Sequence, residues 1–141
     1  KKDTTLALLL AAARHGFDRG RVVAVGFSNG ANVAASLLLR RPGALAGALL
    51  LRAMVPFEPA GGRAGGAGSA TPHGPVTIVA GRMDPRVPAG HPERLAELLR
   101  AAGHPATVET VPAGHQLVAR DLEIGAGLFA AAPTANAFRP N

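Results

Sequence analysis

Cysteine, tryptophan and tyrosine are absent from this 141-residue chain, and phenylalanine, present five times, is its only aromatic. Without cysteine there are no disulfides, no thiolate metal ligands and no sulfur nucleophile. Redox usage therefore says nothing of the compartment, and the cytoplasm stands as the default expectation. Few aromatics leave little for base stacking. That matters because 15 Lys and Arg against 9 Asp and Glu give a formal net charge of +6. An excess of this kind can mark a polyanion partner, but Arg14, Arg21, Arg52, Arg82, Arg100 and Arg120 are scattered and no run reaches five like charges. The pattern predicts a solvated basic surface and no nucleic-acid partner; the competing reading requires steeply salt-dependent affinity for strands or duplex.

Long apolar runs are missing as well. Arg14 and His15 end the first and Arg40 and Arg41 end another, so no membrane span is expected. The opening "KKDTTLALLLAAARHG" places basic residues ahead of an apolar segment. Asp3 and the lack of a small-residue cleavage site fit a helix over 3–15 better than a leader, with Asp3 or Thr4 as cap and Gly16 as stop. The histidines lack close helical spacing with a carboxylate or one another, and no Gly-rich run leads into Lys-Ser or Lys-Thr. Neither a metal site nor a phosphate loop is expected, and no cofactor.

What is present is 48% hydrophobic and 17% charged sequence, the composition of one globular domain over 1–141. Residues 21–27, "RVVAVGF", read as a buried strand rich in β-branched residues, and 29–40 as a helix closed by Arg40, Arg41 and Pro42. A second strand falls at about 46–52. Residues 53–74 form a Gly/Pro-rich loop expected to be mobile. Strands over 75–81 and 106–112 flank a helix over 91–103, and a last helix covers 116 to about 131. This order calls for an α/β three-layer sandwich with a mainly parallel sheet.

Within "AVGFSNGANVA", residues 24–34, the chain leaves a strand pattern, turns on Gly26, Ser28 and Gly30 and enters a helix pattern. A serine on such a turn stands above the carboxyl edge of the sheet, where open α/β sheets build their sites. Gly26 and Gly30 are expected where strand and helix approach too closely for side chains. The helix opening at Asn29 aims its free N–H groups at the same place, which suits a developing oxyanion. A glycine turn that happens to hold a serine is the plain alternative. A serine hydroxyl needs a base and an orienting acid to attack. His115 directly follows the last strand in "VPAGHQL", and Asp84 follows another in "AGRMDPRVP"; each has a bland reading too, as a solvated histidine and an ordinary Asp-Pro turn. The chain order Ser28, Asp84, His115 is that of the α/β-hydrolases.

At these residues the sequence resembles the phospholipase/carboxylesterase branch of the α/β-hydrolase superfamily, with its dienelactone-hydrolase-like relatives. "GFSNGANVAASLLLRRP", "MVPFEP", "AGRMDPRVP" and "AGHQL" are similar to that branch's elbow, cap-proximal loop, acid turn and histidine turn. The resemblance implies a serine carboxylesterase acting on small or short-chain esters through an acyl-enzyme on Ser28. Met54, Val55, Pro56 and Val87 would then be pocket walls. It also implies further strands ahead of the elbow and a loop supplying a second oxyanion N–H, whereas about 20 residues precede the elbow strand here. The expectation is a truncated hydrolase fold, the C-terminal half of the usual sheet. Its elbow strand would form an exposed edge that pairs in a homo-oligomer or against a missing N-terminal piece. A feebly active binding or scaffold domain is the alternative function.

Overall fold

The computed structural model describes residues 14–60 and 71–131. The helix expected over 3–15 lies almost wholly outside the described residues. Four strands form one sheet: β1 (Val23–Phe27), β2 (Gly47–Leu51), β3 (Val76–Gly81) and β4 (Ala106–Val111). They lie side by side in chain order, every pair parallel. Among the described residues three α-helices flank the sheet, α1 (Asn29–Arg40), α2 (His91–Ala101) and α3 (Ala119–Ala131).

The alternation of side chains along each strand divides the core in two. Ala48, Leu50, Val76 and Ile78 face the larger cluster, built with Ala31, Ala34 and Leu38 of α1 and Leu95 and Leu99 of α2. Leu49, Leu51, Val79 and Val111 face the other way, where Ile124 of α3 covers them. Helices on both faces make the expected three layers, and β2 is buried at all five positions because each face is covered.

The sheet departs from expectation at its first strand. Residues 19–21 form a 3₁₀ turn and the strand begins at Val23. Ala24 packs on the larger cluster, but Val25 and Phe27 are exposed at 57% and 40%. Among the described residues β1 therefore has one sheet neighbour and one covered face.

Two further expectations change. The loop read as mobile over 53–74 is tied down where it leaves β2: Ala53 is buried, the Met54 N–H donates to Asn32 Oδ1 at 2.9 Å, and the Val55 N–H donates to His91 Nδ1 at 3.1 Å. Arg94 clamps Glu58 through Nε and Nη2 at 3.0 and 2.7 Å. Specific polar partners, which composition does not display, hold this strap. The last helix begins at Ala119 rather than 116, because Asp121 accepts the Val118 N–H at 2.8 Å and so fixes the first turn there.

Candidate active site

The residues ending each strand gather at one rim, since all strands run the same way. Ser28 joins β1 to α1 with φ 56° and ψ −117°, a conformation that residues with side chains rarely adopt. Its N–H donates to Leu51 O at 2.8 Å and its carbonyl accepts the Asn32 N–H at 3.0 Å, which fastens both ends of the turn. A serine at a helix N-cap ordinarily caps with its own oxygen. Here the side chain makes no capping bond. Its Oγ instead lies 2.9 Å from His115 Nε2.

Gly26 explains how strand and helix come so close. A Cβ there would meet the Ala31 N and Cα at 2.6 and 2.8 Å, and neither can move without moving the helix. Gly30 is different: a Cβ on it meets nothing within 4 Å, so the steric need expected at that glycine is absent. It sits on the outward side of the first helical turn, where sequence spacing alone cannot distinguish it from Gly26.

His115 follows β4 and its Nδ1 lies 2.8 Å from Asp84 Oδ2. The Asp84 side chain is 1% exposed and that of His115 is 17% exposed. A carboxylate only accepts, so Nδ1 carries the proton, Nε2 of the neutral ring is the acceptor, and the Ser28 hydroxyl donates to it. Burial pushes the Asp84 carboxyl up. The His115 hydrogen bond, with backbone N–H donors of Arg86 and Val87, outweighs it and leaves the group below the ordinary carboxylate range. The ring of Phe27 lies 5.3 Å from that of His115, centroid to centroid.

The other expected residues fall in three places. Asn29 opens α1 beside Ser28, and its N–H is among the first of the helix, which have no intrahelical acceptor. Val87 belongs to the Asp84 turn through its backbone N–H. Met54 is drawn to the first turn of α1 by Asn32, Pro56 is half-buried on the same strap, and Val55 packs on the larger core. Among the described residues no group of three or more His, Cys, Asp or Glu is arranged to hold a metal ion. No helix among them is long and apolar enough to cross a membrane.

Residues 3–126 match the family model for phospholipase/carboxylesterase. The chain belongs to the phospholipase/carboxylesterase family. Over 116 residues it is 43% identical to the Bacillus subtilis (strain 168) protein that carries the name "Putative hydrolase MhqD", covering 80% of this chain and 54% of that one. Its fold superposes on the Bacillus cereus carboxylesterase with a TM-score of 0.73 at 35% identity, over 86% of this chain and 55% of that one. The Mesorhizobium loti carboxylesterase gives 0.76 at 28% identity, over 92% and 59%. The chain thus spans little more than half the length of these members of the phospholipase/carboxylesterase family.

Sequence reasoning missed Arg52. Counted among the solvated arginines, it is in fact 1% exposed, with φ 58° and a guanidinium paired with Asp121 through two bonds of 2.8 Å. The signal was a single charge closing the apolar run "GALLLRA", because a charge that follows a buried strand has to find a partner. Asp121, assigned only to the last helix, is that partner. Burial raises its carboxyl, but the Arg52 hydrogen bonds and the Val118 N–H prevail and hold it below the usual range.

Proposed function

We propose that this chain is a serine carboxylesterase acting on small or short-chain carboxylic esters. One observation supports the reading above all: a continuous hydrogen-bonded line from Ser28 Oγ through His115 to the buried Asp84 carboxylate, joining residues 87 and 31 positions apart. In the reaction inferred, the Ser28 oxygen attacks the acyl carbon while its proton passes to His115 Nε2. Asp84 holds the ring in the required tautomer and stabilises the imidazolium. The Asn29 N–H, at the positive end of α1, faces the carbonyl oxygen as it gains charge. His115 then returns the proton to the leaving alcohol, and water repeats the sequence to release the acid. Met54, Val55, Pro56 and Val87 are the proposed pocket walls. Exposed Val25 and Phe27 on β1, an edge strand among the described residues, favour pairing in a homo-oligomer or against a further N-terminal segment, and light scattering would detect the first.

A second reading is a hydrolase-fold domain that binds without efficient turnover. Hydrolysis of a short-chain nitrophenyl ester by the unaltered chain and by Ser28→Ala separates the two. Turnover that disappears with the hydroxyl supports the esterase, and equal rates overturn it.

A further inference from the structure

Among the described residues, the proposed nucleophile and base come from the two outermost strands of the sheet. β1 and β4 are three strand spacings apart, roughly 14 Å, yet Ser28 Oγ and His115 Nε2 are 2.9 Å apart. The segment after β4 must double back over the ends of β3 and β2 to close that gap, and an exposed turn would not hold such a course unaided. Arg52 stands at the end of β2 beneath this path. Its Nε donates to Gly114 O at 3.0 Å and its Nη2 to Gln116 O at 3.0 Å, the two carbonyls that flank His115. The remaining donors go to Asp121 and, at 3.5 Å, to Val79 O, so all five N–H groups of the fork are engaged. Asp121 fixes that fork from the first turn of α3. Gly81 at the end of β3 leaves the necessary room. A Cβ there would collide with the Gly114 carbonyl oxygen and would lie 2.7 Å from Ala113 O and 3.1 Å from Arg52 Nε.

The neighbouring residue completes the arrangement, since Leu51 O receives the Ser28 N–H. One dipeptide, Leu51-Arg52, thus touches the nucleophile's turn with its backbone and the base's turn with its side chain. We infer that Arg52, fixed by Asp121, is a positioning residue that sets the separation between His115 and Ser28 and has no contact with the reacting atoms. The inference rests on the esterase reading for its kinetic consequence and on geometry alone for the placement of His115.

Arg52→Lys in the whole chain tests it. The ammonium keeps the charge opposite Asp121 but is a single point on a flexible stem, unable to reach both carbonyls and the carboxylate together. The expected result is a kcat for a nitrophenyl ester lower on the order of 10²-fold, a KM within about twofold, and loss of the downfield proton NMR signal of His115 Nδ1–H in a folded protein. Should Arg52→Lys not fold, Arg52→Met with Asp121→Leu gives the same comparison, because an apolar pair of similar volume can replace a buried ion pair. A folded variant that keeps both the kcat and the His115 signal of the unaltered chain overturns the inference. So does a parallel loss of kcat, KM and melting temperature, which marks a merely structural arginine. Absence of ester hydrolysis in the unaltered chain overturns the esterase reading instead, and the NMR comparison then decides the placement of His115 by itself.

Discussion

Alanine at Gly26 and alanine at Gly30 are expected to have opposite effects, although the two glycines hold symmetric places around Ser28. At Gly26 the added methyl would sit 2.6 Å from Ala31 N, 2.7 Å from the Gly30 carbonyl carbon and 2.8 Å from Ala31 Cα. All three are backbone atoms of the helix start, so no rotamer change relieves the clash. Relief requires α1 to move away from β1 by several tenths of an ångström, against the packing of Ala31, Ala35 and Leu38 on the core. Overpacking of this kind costs about 1–3 kcal/mol, and the upper half of that range applies because every obstructing atom is main chain. At Gly30 the methyl enters open space, and the residue does not have a positive φ. Replacing a helical glycine there removes an entropic penalty of about 0.5–1 kcal/mol. A domain of this size shifts by roughly 3–4 °C per kcal/mol. Gly26→Ala is therefore expected to melt roughly 6–12 °C lower and Gly30→Ala roughly 2–4 °C higher by calorimetry. Ester turnover should fall in Gly26→Ala, since the helix start that has to move carries the Asn29 N–H. Equal losses of stability in the two variants would refute the assignment of the close approach to Gly26 alone.

Ser28→Gly should abolish turnover yet raise stability by about 1 kcal/mol, the relief of a strained φ less the entropy of an added glycine; an unchanged or lower melting temperature would count against strain at the elbow. Asp84→Asn should leave the turn folded and reduce kcat by roughly 10⁴-fold, because the amide no longer enforces the tautomer that lets His115 accept a proton; a loss under about tenfold would remove Asp84 from the triad. His104 gives a pH signature apart from the site. Buried, it donates from Nδ1 to Gly74 O and accepts the Gly43 N–H at Nε2, and His73 lies beside it. Burial lowers its affinity for a proton, and the neighbouring His73 lowers it further against the Gly74 bond. The unfolded chain takes up that proton near pH 6.5 while the folded chain refuses it until lower pH. Stability should hold above that point and decline as the pH falls from it toward the folded value. His104→Gln should lack this slope in melting temperature against pH, and parallel curves would contradict the account.

The layers, and the three residues that the structure brings into one hydrogen-bonded line, were legible because they rest on local signals. β-Branched runs alternating with helical periodicity specify a parallel sheet, and a parallel sheet brings every strand's carboxyl end to one rim. Residues that follow strands 1, 3 and 4 are then the natural candidates, which is how Ser28, Asp84 and His115 could be chosen from composition-poor neighbourhoods. The missed features depend on pairs far apart in the chain. Arg52 and Asp121 are 69 positions apart, so neither has a local partner, and an arginine read alone defaults to solvent. The strap after Ala53 looked loose because Gly and Pro dominate its composition, whereas its order comes from Asn32, His91 and Arg94 on two helices. Gly30 misled for a related reason: spacing reports the motif, and only the helix direction reports which of its glycines lies beneath the chain.

Chain order alone does not bring Ser28, Asp84 and His115 together. In this sheet strand order equals sequence order, so Ser28 and His115 begin at opposite edges. His115 stands four positions beyond Val111, the last of β4, and four steps of chain extend at most about 13–14 Å, close to the roughly 14 Å between the edges. The segment is not stretched, since the Ala113 N–H closes a tight turn on Val111 O at 2.9 Å and Ala113 O accepts the Met83 N–H at 3.0 Å beside the end of β3; the side chains of His115 and Ser28 span the remaining gap. Closing on Ser28 therefore needs a direction as well as a length. The Arg52 fork provides one by holding the carbonyls on both sides of His115, and the bare Cα of Gly81 lets the segment lie low over the sheet. The buried cation thus lies where the segment crosses the sheet, and a residue that follows β2, the strand adjoining that of Ser28, directs His115 toward Ser28.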